Sequence, residues 1–132
     1  MKKIVVADTY EGKPVTEIYV NAFKGNIQLT HVTLPKSIEI IGSGAFENCV
    51  SLSSVTFSGV TEIPDAFMGC TSLKKIDLTS VKTVGSEAFS GCSSLTEVVG
   101  IEGVEDFSYG VFAGIGIPFE NGVRYIGKFA VD

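Results

Sequence analysis

The 132-residue sequence has no tryptophan, one histidine and three cysteines, and only 19% of its residues are charged, against a usual share of about 25%. It has no continuous apolar run of about 18 residues, so no transmembrane helix is expected. The net charge of −5 and pI near 4.8 disfavour nucleic acid and anionic membrane surfaces, which call for clustered Lys and Arg. The scarcity of histidine and the odd cysteine count limit metal and redox chemistry. There is no C-x-x-C, and His31 lies in another part of the sequence from Cys49, Cys70 and Cys92, so a four-ligand zinc site is not expected. Neither Gly42-Ser43-Gly44 nor Ser90-Gly91-Cys92 leads into Lys-Ser or Lys-Thr, so the phosphate-loop pattern fails. No G-x-S-x-G elbow occurs, and His31 has no nucleophile and carboxylate pattern beside it. The chain is read as non-enzymatic, with no cofactor and no metal.

What the sequence has is a repeat. Phe23, Phe46, Phe67, Phe89 and Phe112 recur at intervals of 21 to 23 residues. Around them residues 14–34, 37–57, 59–78 and 80–100 align in register, and a partial copy begins at 103. Each copy has a V-x-x-I stretch (Ile38/Ile41, Val60/Ile63, Val81/Val84) and an L-x-x-V-x-L stretch (Leu52/Val55/Phe57, Leu73/Ile76/Leu78). Both are rich in β-branched residues, as strands prefer. The intervening A-F-x-x-C is long enough for one helical or 3₁₀ turn. A period of 20 to 29 residues points to a leucine-rich-repeat solenoid. Stacking should produce two parallel ladders with rungs about 4.8 Å apart, a spine of phenylalanines inside, and stability passed between neighbouring copies.

The expected organisation is one domain over 1–132, with an N-terminal cap at 1–13 and a C-terminal cap ending the partial repeat of 103–132. Ile4–Ala7 and Val15–Ile18 around the turn 9–14 suggest an N-terminal hairpin. Asn121-Gly122 between 117–120 and 123–126 suggests a closing one; the alternative is a further irregular repeat. The apolar stretch 4–7 is too short for a signal peptide.

I-x-x-I-G-x-x-A-F-x-x-C-x-x-L-x-x-V resembles the BspA-type (Treponema pallidum-type) leucine-rich repeat, through Ile38, Ile41-Gly42, Ala45-Phe46, Cys49, Leu52, Val55 and their equivalents from Val60 and Val81. Tyr10 to Val15 resembles the usual entry to such arrays. The resemblance implies a secreted or cell-surface protein used in adhesion or protein–protein contact, with a partner such as a host extracellular or surface protein. The localisation it implies is extracellular or cell surface, although no signal peptide is visible in this chain.

Side chains alternate across a strand. With Leu29, Val32 and Leu34 inward, His31 and Thr33 point outward, followed by Ser54 and Thr56, Lys75 and Asp77, and Glu97 and Val99. This row is the candidate protein-binding face. It lacks the aromatic and Arg cluster of typical hot spots, so a merely soluble sheet face is the competing reading. A structural spacer, or a solenoid that self-associates end to end, is the alternative function. The cysteines should stack as small buried thiols, with a disulfide between adjacent rungs left open. Glu17, Glu39, Glu62, Glu105 and Asp106 form an acidic stripe on the first strands. It lacks the converging loop oxygens of a calcium site and is read as a solvated face.

Overall fold

The computed structural model describes residues 2–117 and, beyond them, the backbone of strands Phe119–Glu120, Val123–Ile126 and Phe129–Ala130. The chain winds into a parallel β-solenoid of about five turns. The V-x-x-I stretches form one ladder of five two-residue strands, Glu17–Ile18, Ile40–Ile41, Glu62–Ile63, Thr83–Val84 and Asp106–Phe107, each parallel to the next. The L-x-x-V-x-L stretches form a second ladder in two parts. Lys2–Val5, Leu29–Thr33 and Ser54–Thr56 make the first part, and Lys75–Asp77 with Glu97–Val99 the second. At the break, Lys74 N–H reaches Ser53 O at 3.5 Å, beyond ordinary hydrogen-bond length. It falls beside the copy in which Pro64-Asp65 is one residue shorter than Gly42-Ser43-Gly44.

The core lies between the ladders. Ile18, Ile41, Ile63 and Val84 face inward from one side, Val32, Val55 and Ile76 from the other, and each is at most 6% exposed. The phenylalanines stack between them. Centroids of Phe23, Phe46, Phe67, Phe89 and Phe112 are successively 5.3, 5.3, 5.5 and 5.9 Å apart, with ring planes within 9° of parallel. No turn could bury its own ring without a neighbour above and below, which is why the repeats must stack.

The A-F-x-x-C segment departs from the helical turn expected from its length. A helix would spend its N–H groups internally, whereas here they alternate. Phe46 N–H donates to Ala66 O of the next turn, Glu47 to Gly44 O of its own, Asn48 to Met68 O of the next, and Cys49 to Phe46 O of its own. The segment is thus a third, irregular inter-rung ladder. The 3₁₀ helix of the described residues lies elsewhere, at Ile101–Gly103. The reversal after each phenylalanine places Gly25, Asn48, Gly69, Gly91 and Gly114 at positive φ, where glycine carries no Cβ penalty and asparagine a small one.

The N-terminal cap differs from the expected pairing. Lys2–Val5 lies parallel to Leu29–Thr33 as an extra rung of the second ladder, and does not pair with the segment 15–18. The N-terminal hairpin is shorter: Thr9–Tyr10 against Lys13–Pro14. An apolar edge strand left at Leu29–Thr33 would be a pairing hazard, and Lys2–Val5 covers it. At the other end Phe119–Glu120 pairs antiparallel with Val123–Ile126, as the Asn-Gly signal predicts. Val123–Ile126 pairs in turn with Phe129–Ala130. Asn121 and Gly122 themselves lie outside the described residues.

Candidate functional site

The cysteines belong to the frame. Cys49, Cys70 and Cys92 are fully buried and free. Each thiol donates to the phenylalanine carbonyl one turn earlier, to Phe23, Phe46 and Phe67 at 3.1, 3.1 and 3.2 Å. Burial raises the Cys49 and Cys70 thiols above their ordinary range and pushes Cys92 up to about 12. A thiol held protonated is neither a nucleophile nor a metal ligand. Among the described residues no group of three or more His, Cys, Asp or Glu side chains could hold a metal ion, and no helix is long and apolar enough to cross a membrane.

The row selected on the second ladder is held outward by the strands. His31 pairs in register with Ser54, and Thr33 with Thr56. Across the break, Lys75 pairs with Glu97 and Asp77 with Val99. The row also extends one rung further than the sequence indicated, because Lys3 and Val5 stand opposite His31 and Thr33. Val5 is 77% exposed. Lys3 and Val5 join the row because the first strand pairs with Leu29–Thr33 and not with the segment 15–18.

These side chains are not equally available. Lys75 Nζ and Glu97 Oε2 form an ion pair of 3.1 Å, with both side chains more than half exposed. Exposed pairs contribute about 0–1 kcal/mol, so a partner can open this one at small cost. Asp77 is committed to the fold. Its carboxylate accepts the Thr79 N–H and hydroxyl, and these bonds hold its pKa below the usual value. His31 Nδ1 lies 3.0 Å from Thr30 Oγ1. Thr33, Thr56 and Glu97 are exposed, while His31, Ser54 and Val99 are half-buried.

The first ladder carries a feature beyond the acidic stripe. A groove of about 620 Å³ lies across four of its rungs, lined by Ile40, Glu62, Thr83 and Asp106 among others. Glu39, Glu62 and Asp106 of the acidic stripe line it. Ile40 is 54% exposed at its edge. The sequence signal was present: Ile40 sits between the two inward-facing isoleucines 38 and 41, at an outward position where a solvated face has no use for an apolar side chain.

The chain matches the BspA type leucine rich repeat region over residues 9–118, in six copies. Among solved structures it is similar to a leucine-rich repeat protein of T. pallidum, with 34% identity and a TM-score of 0.80 over 84% of this chain and 53% of that one. It is also similar to a leucine-rich cell surface protein of Faecalibacterium prausnitzii, with 27% identity and a TM-score of 0.66 over 81% of this chain and 31% of that one. The pneumococcal vaccine antigen PcpA shares the fold at 23% identity and a TM-score of 0.73, covering 86% of this chain and 32% of the antigen. The chain therefore spans about half the length of the T. pallidum protein and about a third of the other two. No curated protein matches it. The match over most of the sequence, together with a coil of turns whose phenylalanines and cysteines stack in register, makes the chain a member of the BspA-type leucine-rich-repeat family.

Proposed function

We propose that this chain is a non-enzymatic protein-interaction module, that its parent is a cell-surface or secreted adhesion-type protein, and that it binds through the outward row of the second ladder. The observation that carries this reading is the division of labour in each turn. The chemically reactive groups, the thiols, are buried and hydrogen-bonded. The side chains that differ from turn to turn stand outward on a paired sheet, where they carry little of the core. The face comprises Lys3, His31, Ser54, Lys75 and Glu97 in one row, and Val5, Thr33, Thr56 and Val99 in the next. Asp77 is left out of it, because its carboxylate is occupied by Thr79. A rigid sheet presents these groups with little ordering cost on binding. The family, whose repeats commonly serve protein interaction, and the cell-surface relative from F. prausnitzii support the reading.

The test is affinity capture from cell-surface and extracellular-matrix extracts, with the purified chain as bait beside a Lys3→Glu, His31→Glu, Lys75→Glu variant. A partner retained by the native chain and lost by the variant supports the face. Identical captures by both baits contradict it, and capture by neither favours a structural spacer.

A further inference from the structure

The groove on the first ladder has a spacing that selects its occupant. The outward positions of successive rungs are Glu17, Ile40, Glu62, Thr83 and Asp106, set in register by strand pairing. Carboxylates therefore fall on every second rung, with an apolar or hydroxyl side chain between. At about 4.8 Å per rung, the acids recur about every 9.6 Å along the solenoid axis. The neighbouring row adds Glu39 and Glu105, and Lys82 as its one cation. Among the lining residues there is no lysine or arginine.

The backbone of this sheet is already paired rung to rung, so an occupant of the groove gains nothing by strand addition and must be read through its side chains. A β-strand presents same-side residues about every 6.8 Å, out of phase with the acids after one step. A polyproline II segment rises about 3.1 Å per residue with three residues per turn, and so presents one face about every 9.3 Å. It needs no hydrogen bonds from its surroundings, and its proline rings can rest on Ile40 and Thr83. The groove volume of about 620 Å³ lies within the usual range of binding clefts, roughly 300–1,000 Å³.

We infer that the first-ladder groove is a second binding surface, for a polyproline II segment carrying Lys or Arg at every third residue, its cations meeting Glu62 and Asp106 with Glu17 continuing the row. The inference does not rest on the second-ladder face, and either surface can fail alone.

The experiment is isothermal titration of the full chain with a five-fold Lys-Pro-Pro peptide. The comparison peptides are Lys-Pro repeats with the same number of lysines, flexible Lys-Gly-Gly repeats and Glu-Pro-Pro repeats. The expected result is that Lys-Pro-Pro binds at least tenfold tighter than each of the others. Glu62→Gln with Asp106→Asn is expected to weaken it at least tenfold, and Lys75→Glu on the other ladder to change it less than twofold. Glu62→Lys with Asp106→Lys, checked for folding by circular dichroism, is expected to abolish it. Equal binding of all lysine peptides, no binding of Lys-Pro-Pro, or indifference to the Glu62 and Asp106 substitutions overturns the inference.

Discussion

The two ladders come from the same repeat, yet their outer sides have diverged. The first runs unbroken through five strands and carries an acidic groove. The second is interrupted after Ser54–Thr56, gains an extra strand at its N-terminal end, and bears an exposed ion pair. Inside, the difference disappears. Both supply one layer of Ile, Val and Leu to the same core, and the phenylalanine spine crosses the break with no change in spacing: Phe46–Phe67, which spans it, is 5.3 Å, as is Phe23–Phe46 before it. The interior must be periodic because each turn is the floor of the next. The outer row has no such partner, so it is free to vary and to recognise.

The sharpest way to break this comparison is to compare the spine at its middle and at its end. Phe67→Ala removes a fully buried ring stacked on both sides and is expected to cost about 3–5 kcal/mol in urea unfolding. Phe23→Ala removes a partly exposed ring stacked on one side and is expected to cost less than half as much.

The next largest effect is alkaline. An unfolded cysteine ionises near 9.0, whereas the folded chain holds Cys92 protonated up to about 12 and Cys70 higher still. Stability is then full below about pH 9 and falls as the pH rises toward the folded values, because only the unfolded chain releases these protons. At about 1.4 kcal/mol per pH unit for each thiol, unfolding at pH 10 is expected near 2–3 kcal/mol easier than at pH 8. A Cys70→Ala, Cys92→Ala variant is expected to lose most of that slope. At neutral pH, Cys70→Ala alone is expected to cost about 1–2 kcal/mol, since it removes the thiol that donates to Phe46 O.

Two smaller measurements sharpen the contrast with the surface. Glu87 sits at φ 57 with a full side chain, so Glu87→Gly is expected to raise stability by up to about 1 kcal/mol in the same urea assay. A double-mutant cycle on Lys75 and Glu97, more than half exposed, is expected to give a coupling below about 1 kcal/mol.

Most of the frame was legible because the repeat is written four times. The register of Phe46, Phe67 and Phe89 announced the spine, and Leu52, Val55 and their equivalents the second ladder. What the pattern could not carry were features that occur once. Ile4 and its neighbours form no repeat of their own, so an N-terminal hairpin and a parallel rung read alike until Lys2–Val5 is seen beside Leu29–Thr33. Every second hydrogen bond of the A-F-x-x-C turn runs between copies, and so does the thiol bond to the previous phenylalanine carbonyl. A reading taken one copy at a time finds a turn and a small buried residue, not a ladder. For the candidate faces, alternation placed His31, Lys75 and Glu97 outward, but that Lys75 and Glu97 meet each other depends on contact between rungs, while the Asp77 bond to Thr79 is a local turn two residues long that alternation does not register.

The central claim is that the inward residues, repeated in every turn, hold the fold and the outward ones, which differ from one turn to the next, are spare for recognition. Urea unfolding of a variant with Glu17, Ile40, Glu62, Asp106, His31, Lys75 and Glu97 all changed to Thr, run beside Phe67→Ala, tests it most directly. The account predicts that the seven-fold surface variant stays within about 2 kcal/mol of the native chain while the single core substitution loses more. A surface variant less stable than Phe67→Ala would contradict it.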